Sequence, residues 1–225
     1  MSVKLITTED GSHSLYHEEL KETYHSFHGA FKESIHVFML YGLDSWLAQN
    51  AGKRPVRVFE VGFGTGLNAW LSLVWADQNQ IPMLYHTIEP FPLDEEIYSQ
   101  LNYGELDENI AHYRPHLKML HKASWDQGTV LTEYFNMKKD KATLEDVQLY
   151  PMDVVFYDAF APKKQPEMWE KNLFQKIFDQ MRPGGVLTTY CATGQLRRDL
   201  KEVGFEVEKL PGPPGKKEMT RAWKQ

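Results

Sequence analysis

The chain has 225 residues, of which 42% are hydrophobic and 25% charged, with a formal net charge of -6 and a mean hydropathy of -0.51. This length suits one domain with a continuous core, and the lack of any long uncharged apolar run excludes a membrane-spanning helix. The first residues lack the apolar core of a signal peptide, and the single Cys191 cannot form an internal disulfide. We therefore expect a soluble cytoplasmic protein, with a monomer favoured.

The charges are distributed unevenly along the chain. Residues 160–225 contain 13 Lys and Arg against 8 Asp and Glu, whereas residues 1–159 contain 12 against 23. A basic patch on one face is what a protein needs to bind the phosphate backbone of a nucleic acid, even when its net charge is negative. Solvated surface lysines would give the same count, so the charge alone leaves both interpretations open.

Residues 1–50 predict a small N-terminal appendage ahead of a main domain at 51–225. Two strand-like runs flank Asp10-Gly11, which indicates a hairpin, and apolar residues at helical spacing follow over 34–48. The aromatic and histidine-rich stretch between them could pack on a substrate or cap the sheet. We expect no metal site, because none of the histidines in this region has a recognised ligand spacing: His13, His17, His25 and His28.

A strand, a glycine-rich turn and a helix follow one another from Val56. Glycines at 62, 64 and 66 allow positive φ and close approach of a ligand to the backbone, and the first helical N–H groups point at that ligand. A dinucleotide fingerprint would need a small residue where Leu67 stands, so NAD is disfavoured. The spacing Glu60-x-Gly62-x-Gly64-x-Gly66 resembles motif I of class I S-adenosylmethionine-dependent methyltransferases. The alternative is a turn that binds no ligand.

A second strand is predicted from Met83 to Glu89. Glu89 lies 23 residues after Gly66, close to the spacing at which a βαβ unit brings an acid to a ribose diol. Phe91 would then lie near the adenine. The alternative is a helix-capping or exposed glutamate at the end of the strand.

The secondary-structure pattern is weaker in the middle of the chain. We predict a helix over 93–101, a third strand over 117–121 and a helix over 127–135, with a polar loop or short helix over 138–146. Asp126 follows the predicted third strand, where it could contact the adenine amino group or cap the next helix.

The run from Met152 to Tyr157 predicts a buried central strand that brings Asp158 to the carboxyl edge of the sheet, beside the glycine loop. Phe160 and Pro162 would form a short rigid wall for a planar or desolvated substrate. A simple helix cap at Asp158 is the alternative. Further on, we predict a helix over 165–181, a strand over 186–190, a helix over 196–204 and a closing antiparallel pair at 205–208 and 218–223.

The motifs together resemble the methyltransferase domain of the bacterial tRNA-modifying MnmC family. The residues that carry the resemblance are Glu60 to Asn68, Glu89-Pro-Phe-Pro, Asp158 to Trp169, Arg182-Pro-Gly-Gly and Gly215 to Met219. The resemblance implies an α/β class I fold, Rossmann-like, with a mostly parallel seven-stranded sheet and an antiparallel last strand. It also implies S-adenosylmethionine as cofactor and methylation of 5-aminomethyl-2-thiouridine at the tRNA wobble position. No fused flavin oxidase domain is expected in this chain.

Three groups of site residues follow from these expectations. The catalytic set is Asp158, Phe160 and Pro162. The cofactor set is Glu60, Gly62, Phe63, Gly64, Thr65, Gly66, Asn68, Glu89, Phe91, Asp126 and Asp158. The expected RNA-binding cations are Lys163, Lys164, Arg197, Arg198, Lys216, Lys217 and Arg221.

Two other classes of function fit parts of the sequence. A small-molecule amine methyltransferase or aminopropyltransferase of the same fold would also use an aspartate after this strand, but its pocket should be acidic, and Lys163 and Lys164 follow Asp158. A non-catalytic S-adenosylmethionine-binding or RNA-binding module would need the glycine loop but not Asp158. With an ordinary pKa of about 3.9, Asp158 would be a poor base, so we expect it to orient the amine and stabilise its developing charge.

Overall fold

The fold contains a large central sheet and a small N-terminal sheet. The computed structural model describes residues 2–52 and 54–225. The strands are β1 (Val3–Thr7), β2 (His13–His17), β3 (Glu22–Thr23), β4 (Val56–Val61), β5 (Met83–Ile88), β6 (Gly128–Val130), β7 (Phe135–Asp140), β8 (Met152–Tyr157), β9 (Met181–Thr189), β10 (Glu206–Pro211) and β11 (Glu218–Lys224).

The helices lie on both faces of this sheet. They are α1 (Ala30–Ser34), α2 (Ser45–Gln49), α3 (Leu67–Asn79), α4 (Glu95–Tyr98), α5 (Arg114–Lys122), α6 (Lys171–Gln180) and α7 (Gly194–Val203). A π-helical segment, Ile35–Asp44, joins α1 to α2 without a break, and short 3₁₀ turns occur at Tyr103–Glu105, Glu108–Tyr113 and Pro166–Trp169. Among the described residues, no helix is long and apolar enough to cross a membrane.

The large sheet has the order β10-β11-β9-β8-β4-β5-β7-β6. Strands β7, β5, β4, β8 and β9 run parallel, and β11 lies antiparallel between β9 and β10. The predicted fold class is therefore confirmed, with the short antiparallel β6 as an additional edge strand. The chain passes from β4 to β5 and β7 on one side, and it then returns to β8 on the other side of β4. Ligands bind at such a switch point in open α/β sheets.

The N-terminal region packs directly onto the sheet. Strands β1, β2 and β3 form a separate antiparallel sheet, with the predicted hairpin turn around Asp10-Gly11. The following helical segment is buried against the large sheet, where the ring of Phe38 lies 5.0 Å from that of Phe156. This packing carries residues 17–33 to the carboxyl edge of the large sheet.

Three predictions in the middle of the chain were wrong. The predicted third strand at 117–121 is part of helix α5, since its buried residues Leu117, Leu120 and His121 follow helical spacing. The predicted helix at 127–135 contains strand β6 instead, and the predicted loop at 138–146 begins within strand β7. In β7 the alternating residues Phe135, Met137 and Lys139 are all buried.

Candidate active site

The glycine loop adopts the backbone conformation that its residues predict. Gly62, Gly64 and Gly66 have φ of 91°, 48° and 73°, which strongly favours glycine at all three positions. A Cβ on Gly62 would lie 2.9 Å from the carbonyl oxygen of Asp158, so this glycine also lets the ends of β4 and β8 meet. The loop then leads straight into α3 at Leu67.

Glu60 lies beneath the loop and is fully buried. One carboxylate oxygen accepts a hydrogen bond from the Thr87 hydroxyl at 2.7 Å, and the other has no partner among the described residues. Burial raises the pKa of Glu60 to about 8, and the negative charge of Asp158 adds to this increase. Glu60 is thus a carboxyl group that is largely protonated at neutral pH.

Glu89 follows β5 and faces the glycine loop. Its two carboxylate oxygens accept from the backbone N–H groups of Gly64, at 3.0 Å, and Phe91, at 2.9 Å. Burial nevertheless raises the pKa of Glu89. Each carboxylate oxygen can accept a further hydrogen bond, so this side chain is oriented to receive two hydroxyl donors.

Asp158 follows β8 and is half-buried at the same edge. Its backbone N–H donates to the Val61 carbonyl at 3.1 Å, and the Asn68 side-chain amide donates to its carboxylate at 2.8 Å. Burial raises the pKa of Asp158 to about 7, with the charge of Glu33 adding to the shift and Asn68 and Lys216 opposing it. The expectation of an ordinary pKa at Asp158 was therefore wrong, because it did not include this desolvation.

The segment after Asp158 is held rigidly. The indole N–H of Trp169 donates to the Phe160 carbonyl at 2.7 Å, and the Tyr190 hydroxyl donates to the Ala159 carbonyl at 2.8 Å. The Phe160 ring meets the Tyr24 ring edge-on, with centroids 5.1 Å apart. An aromatic wall is thereby fixed beside the Asp158 carboxylate.

These groups surround one cavity of about 750 Å³. The predicted site residues that line it are Gly62, Phe63, Gly64, Thr65, Asn68, Glu89, Phe91, Asp158, Phe160 and Lys216. The other predicted residues lie outside its lining: Glu60, Gly66, Asp126, Pro162, Lys163, Lys164, Arg197, Arg198, Lys217 and Arg221. Glu60 lies in β4 beneath the glycine loop, and Gly66 ends the loop at the start of α3.

Asp126 lies away from the cavity, in a turn before β6. It has a φ of 61°, and its backbone N–H donates to the Lys139 carbonyl at 2.6 Å. The lining segment on this side is 142–145, which follows β7, the actual third parallel strand. The adenine contact predicted for Asp126 depended on the wrong strand assignment, and the structure does not bring this residue to the others.

Several lining residues had no clear sequence signal. Tyr24, His25 and Glu33 reach the cavity from the N-terminal region, and Tyr190 reaches it from the end of β9. The Tyr24 ring lies so close to the loop that a Cβ on Gly64 would be 3.2 Å from it. The aromatic composition of residues 24–31 was the only hint that this segment could contact a ligand.

Five of the predicted RNA-binding cations are engaged within the protein. Their partners are the Leu20 and Lys21 carbonyls for Lys164, Glu218 for Arg197, Gln195 for Arg198, Glu33 for Lys216 and Glu208 for Arg221. Lys163, Arg198 and Lys217 are exposed. Among the described residues, no group of three His, Cys, Asp or Glu side chains could hold a metal ion.

Comparisons with known proteins identify relatives of this chain. A family model described as S-adenosyl-L-methionine-dependent methyltransferase matches residues 105–225. The chain is 30% identical over 94% of its length to the tRNA 5-methylaminomethyl-2-thiouridine biosynthesis bifunctional protein MnmC of Marinomonas sp. (strain MWYL1), and 34% identical over 92% to that of Cupriavidus necator. It spans 32% of each of these two relatives. The crystal structure of MNMC2 from Aquifex aeolicus matches 99% of the chain, and 70% of that chain is covered, with a TM-score of 0.80 and 25% identity.

Proposed function

Because the family match covers more than half of the chain, the protein belongs to the S-adenosyl-L-methionine-dependent methyltransferases, and we propose that it methylates the exocyclic amine of 5-aminomethyl-2-thiouridine at the tRNA wobble position. The observation that carries the proposal is Asp158, a half-buried carboxylate that faces an aromatic wall in the same cavity as the glycine loop. A carboxylate in this position suits an amine acceptor, which gains positive charge as it is methylated.

The residues present fit the cofactor. Glu89 offers two oriented oxygens to a ribose diol, and Gly62 and Gly64 line the cavity with backbone that carries no Cβ. Asn68, at the start of α3, has a buried side-chain oxygen without a partner among the described residues. Such an orphaned acceptor beside the loop suits the ammonium of the methionine end. When bound, the cofactor supplies an electrophilic methyl group on a sulfonium.

The acceptor amine must lose a proton before or during transfer. A primary alkylamine has a pKa of about 10.4 in water, so most of it is protonated at neutral pH. Desolvation against Phe160 and Tyr24 favours the neutral amine, and Asp158 accepts an N–H hydrogen bond that directs the nitrogen lone pair at the methyl carbon. With a pKa of about 7, Asp158 can also take up the departing proton and pass it to water.

The substrate assignment is supported by the relatives named above. Their names specify 5-methylaminomethyl-2-thiouridine biosynthesis in tRNA, and the present chain aligns to each over more than nine tenths of its own length. The exposed Lys163 and Lys217 would contribute phosphate contacts to such a substrate. A tRNA substrate would also place the enzyme in the cytoplasm.

The test is methyl transfer from isotopically labelled S-adenosylmethionine to tRNA that carries 5-aminomethyl-2-thiouridine, followed by nucleoside mass spectrometry. We expect one labelled methyl group on that nucleoside and none on tRNA that lacks the aminomethyl group. Diamines and spermidine precursors are assayed in parallel. Transfer to those amines but not to tRNA would identify a small-molecule enzyme, and cofactor binding without transfer to any amine would identify a non-catalytic module.

A further inference from the structure

Lys216 lines the active-site cavity from the turn between β10 and β11. It lies near the opposite end of the sequence from the N-terminal residues that also line the cavity. Its ammonium pairs with the carboxylate of Glu33, on α1, at an N···O distance of 2.5 Å. The Glu33 side chain is 6% exposed and that of Lys216 is 30% exposed. Both side chains line the cavity, and the lysine is the more accessible of the two.

Tyr190 connects this ion pair to the reacting group. The Lys216 ammonium lies 3.8 Å from the centroid of the Tyr190 ring, and the hydroxyl of the same ring donates to the Ala159 carbonyl, next to Asp158. The positive charge of Lys216 also acts on Asp158 and lowers its pKa. Lys216 and Asp158 thus face the same space from neighbouring walls.

The ammonium retains donors for a ligand. A lysine carries three N–H donors, and Glu33 uses one of them. The second oxygen of Glu33 accepts from the backbone N–H of Ser26 at 3.0 Å, which fixes the carboxylate in place. The Lys216 ammonium therefore presents hydrogen-bond donors to the cavity.

We propose that Lys216 donates a hydrogen bond to O4 of the target uracil and that Glu33 positions the Lys216 ammonium for it. This inference rests on the proposed function. In a 5-substituted uracil, O4 is carried by the ring atom next to the one that bears the aminomethyl group. An amine held at Asp158 therefore brings O4 to an adjoining wall of the cavity.

This contact would distinguish uridine from cytidine. Cytosine carries an amino group, a hydrogen-bond donor, where uracil carries O4. The cytosine amino group would therefore place a donor against the donors of the Lys216 ammonium. Sites that hydrogen-bond one substrate group strongly reject analogues that lack it. A phosphate contact, by contrast, would not depend on the identity of the base.

The test uses two otherwise identical anticodon stem-loop RNAs, one with 5-aminomethyl-2-thiouridine and one with 5-aminomethyl-2-thiocytidine. The ratio of kcat/KM for the uridine RNA to kcat/KM for the cytidine RNA is measured for the wild type, Lys216→Gln and Lys217→Gln. We expect Lys216→Gln to lower this ratio by about 10- to 100-fold, since one good base contact contributes that much discrimination. Lys217→Gln, at the adjacent exposed position, should raise KM for both RNAs and leave the ratio unchanged.

A second variant serves as a control for misfolding. Lys216→Gln leaves Glu33 buried without its partner, whereas the double variant with Glu33→Gln replaces the ion pair by two neutral amides, and it should show the same lowered ratio. Equal losses on both RNAs in these variants, with cofactor binding intact, would overturn the inference alone. No transfer to either RNA by the wild type would overturn the proposed function and this inference with it.

Discussion

Replacement of Asp158 by Asn separates the charge of this residue from its shape. Asparagine retains a side-chain oxygen that can accept from Asn68, and the backbone bond to the Val61 carbonyl does not involve the side chain. The variant should therefore keep the cavity and the glycine loop. What it loses is the negative charge beside the acceptor nitrogen and the capacity to take up a proton.

The expected loss is large. Removal of one group that stabilises charge developing in the transition state costs about 10²–10³ in kcat, or about 3–4 kcal/mol. The pH profile should change as well. The wild-type rate should rise with pH as Asp158 ionises near 7, and it should keep rising as more of the amine is deprotonated. The variant should lose the step near pH 7 and retain only the rise that belongs to the amine.

Single-turnover methyl transfer to tRNA, measured from about pH 6 to pH 9, tests both expectations. Calorimetry with S-adenosylmethionine provides the control, because the variant should still bind the cofactor, with an affinity lower by about tenfold at most for the loss of the Asp158 charge. Partial recovery of the variant at high pH is expected, since more free amine is then available. A variant with wild-type kcat at neutral pH would refute the role of the charge and leave Asp158 as a structural residue.

Four further predictions concern the cofactor, the RNA and stability. Glu89→Gln should weaken S-adenosylmethionine binding by about 1–3 kcal/mol in calorimetry, and unchanged affinity would remove Glu89 from the cofactor site. Affinity for S-adenosylmethionine should rise about tenfold from pH 6 to pH 8 as Asp158 ionises, and S-adenosylhomocysteine, which lacks the sulfonium charge, should respond less. Equal pH dependence of the two ligands would contradict this coupling. Reversing the charges of Lys163 and Lys217 should lower the slope of log K for tRNA against log salt by roughly one to two units, and an unchanged slope would exclude that surface. Glu60 has a pKa raised from 4.5 to about 8 by folding, so its contribution to stability is complete below pH 4.5 and is lost as the pH rises to about 8. Thermal unfolding of Glu60→Gln should therefore vary less with pH over that range than wild-type unfolding does, and identical profiles would show that Glu60 is ionised in the folded protein.

The sequence predicted the strands whose residues are mostly apolar. β4 and β8 end at glycine or Asp158, and these boundaries are correct because turn residues follow a buried run directly. The third parallel strand was missed for a physical reason. In β7 a buried position is occupied by Lys139, whose ammonium donates to the His121 carbonyl and lies 4.3 Å from the centroid of a Trp125 ring. A lysine paired in this way looks like a surface residue in the sequence.

The site was predictable where it follows strand ends and unpredictable where it depends on packing between distant segments. Glu89 and Asp158 each end a recognisable strand, so their arrival at one edge follows from the topology. The contributions of Tyr24, Glu33 and Tyr190 depend on how the N-terminal segment packs on the sheet, which no local pattern encodes. The same limit applies to the pKa of Asp158, because its desolvation is created by those neighbours.

The meeting of the N-terminal segment with the β10–β11 turn has a consequence for synthesis of the protein. The imidazole of His28 lies so close to this turn that a Cβ on Gly215 would be 1.9 Å from it, and Lys216 reaches Glu33 across the same contact. These partners are separated by more than 180 residues, so their contact is among the last that a chain emerging from the ribosome can make. The parallel strands can pair earlier. The side of the cavity that contains Glu33 and Lys216 is completed only after the hairpin of β10 and β11 has formed. A nascent chain can therefore hold its paired parallel strands without yet being able to select a substrate.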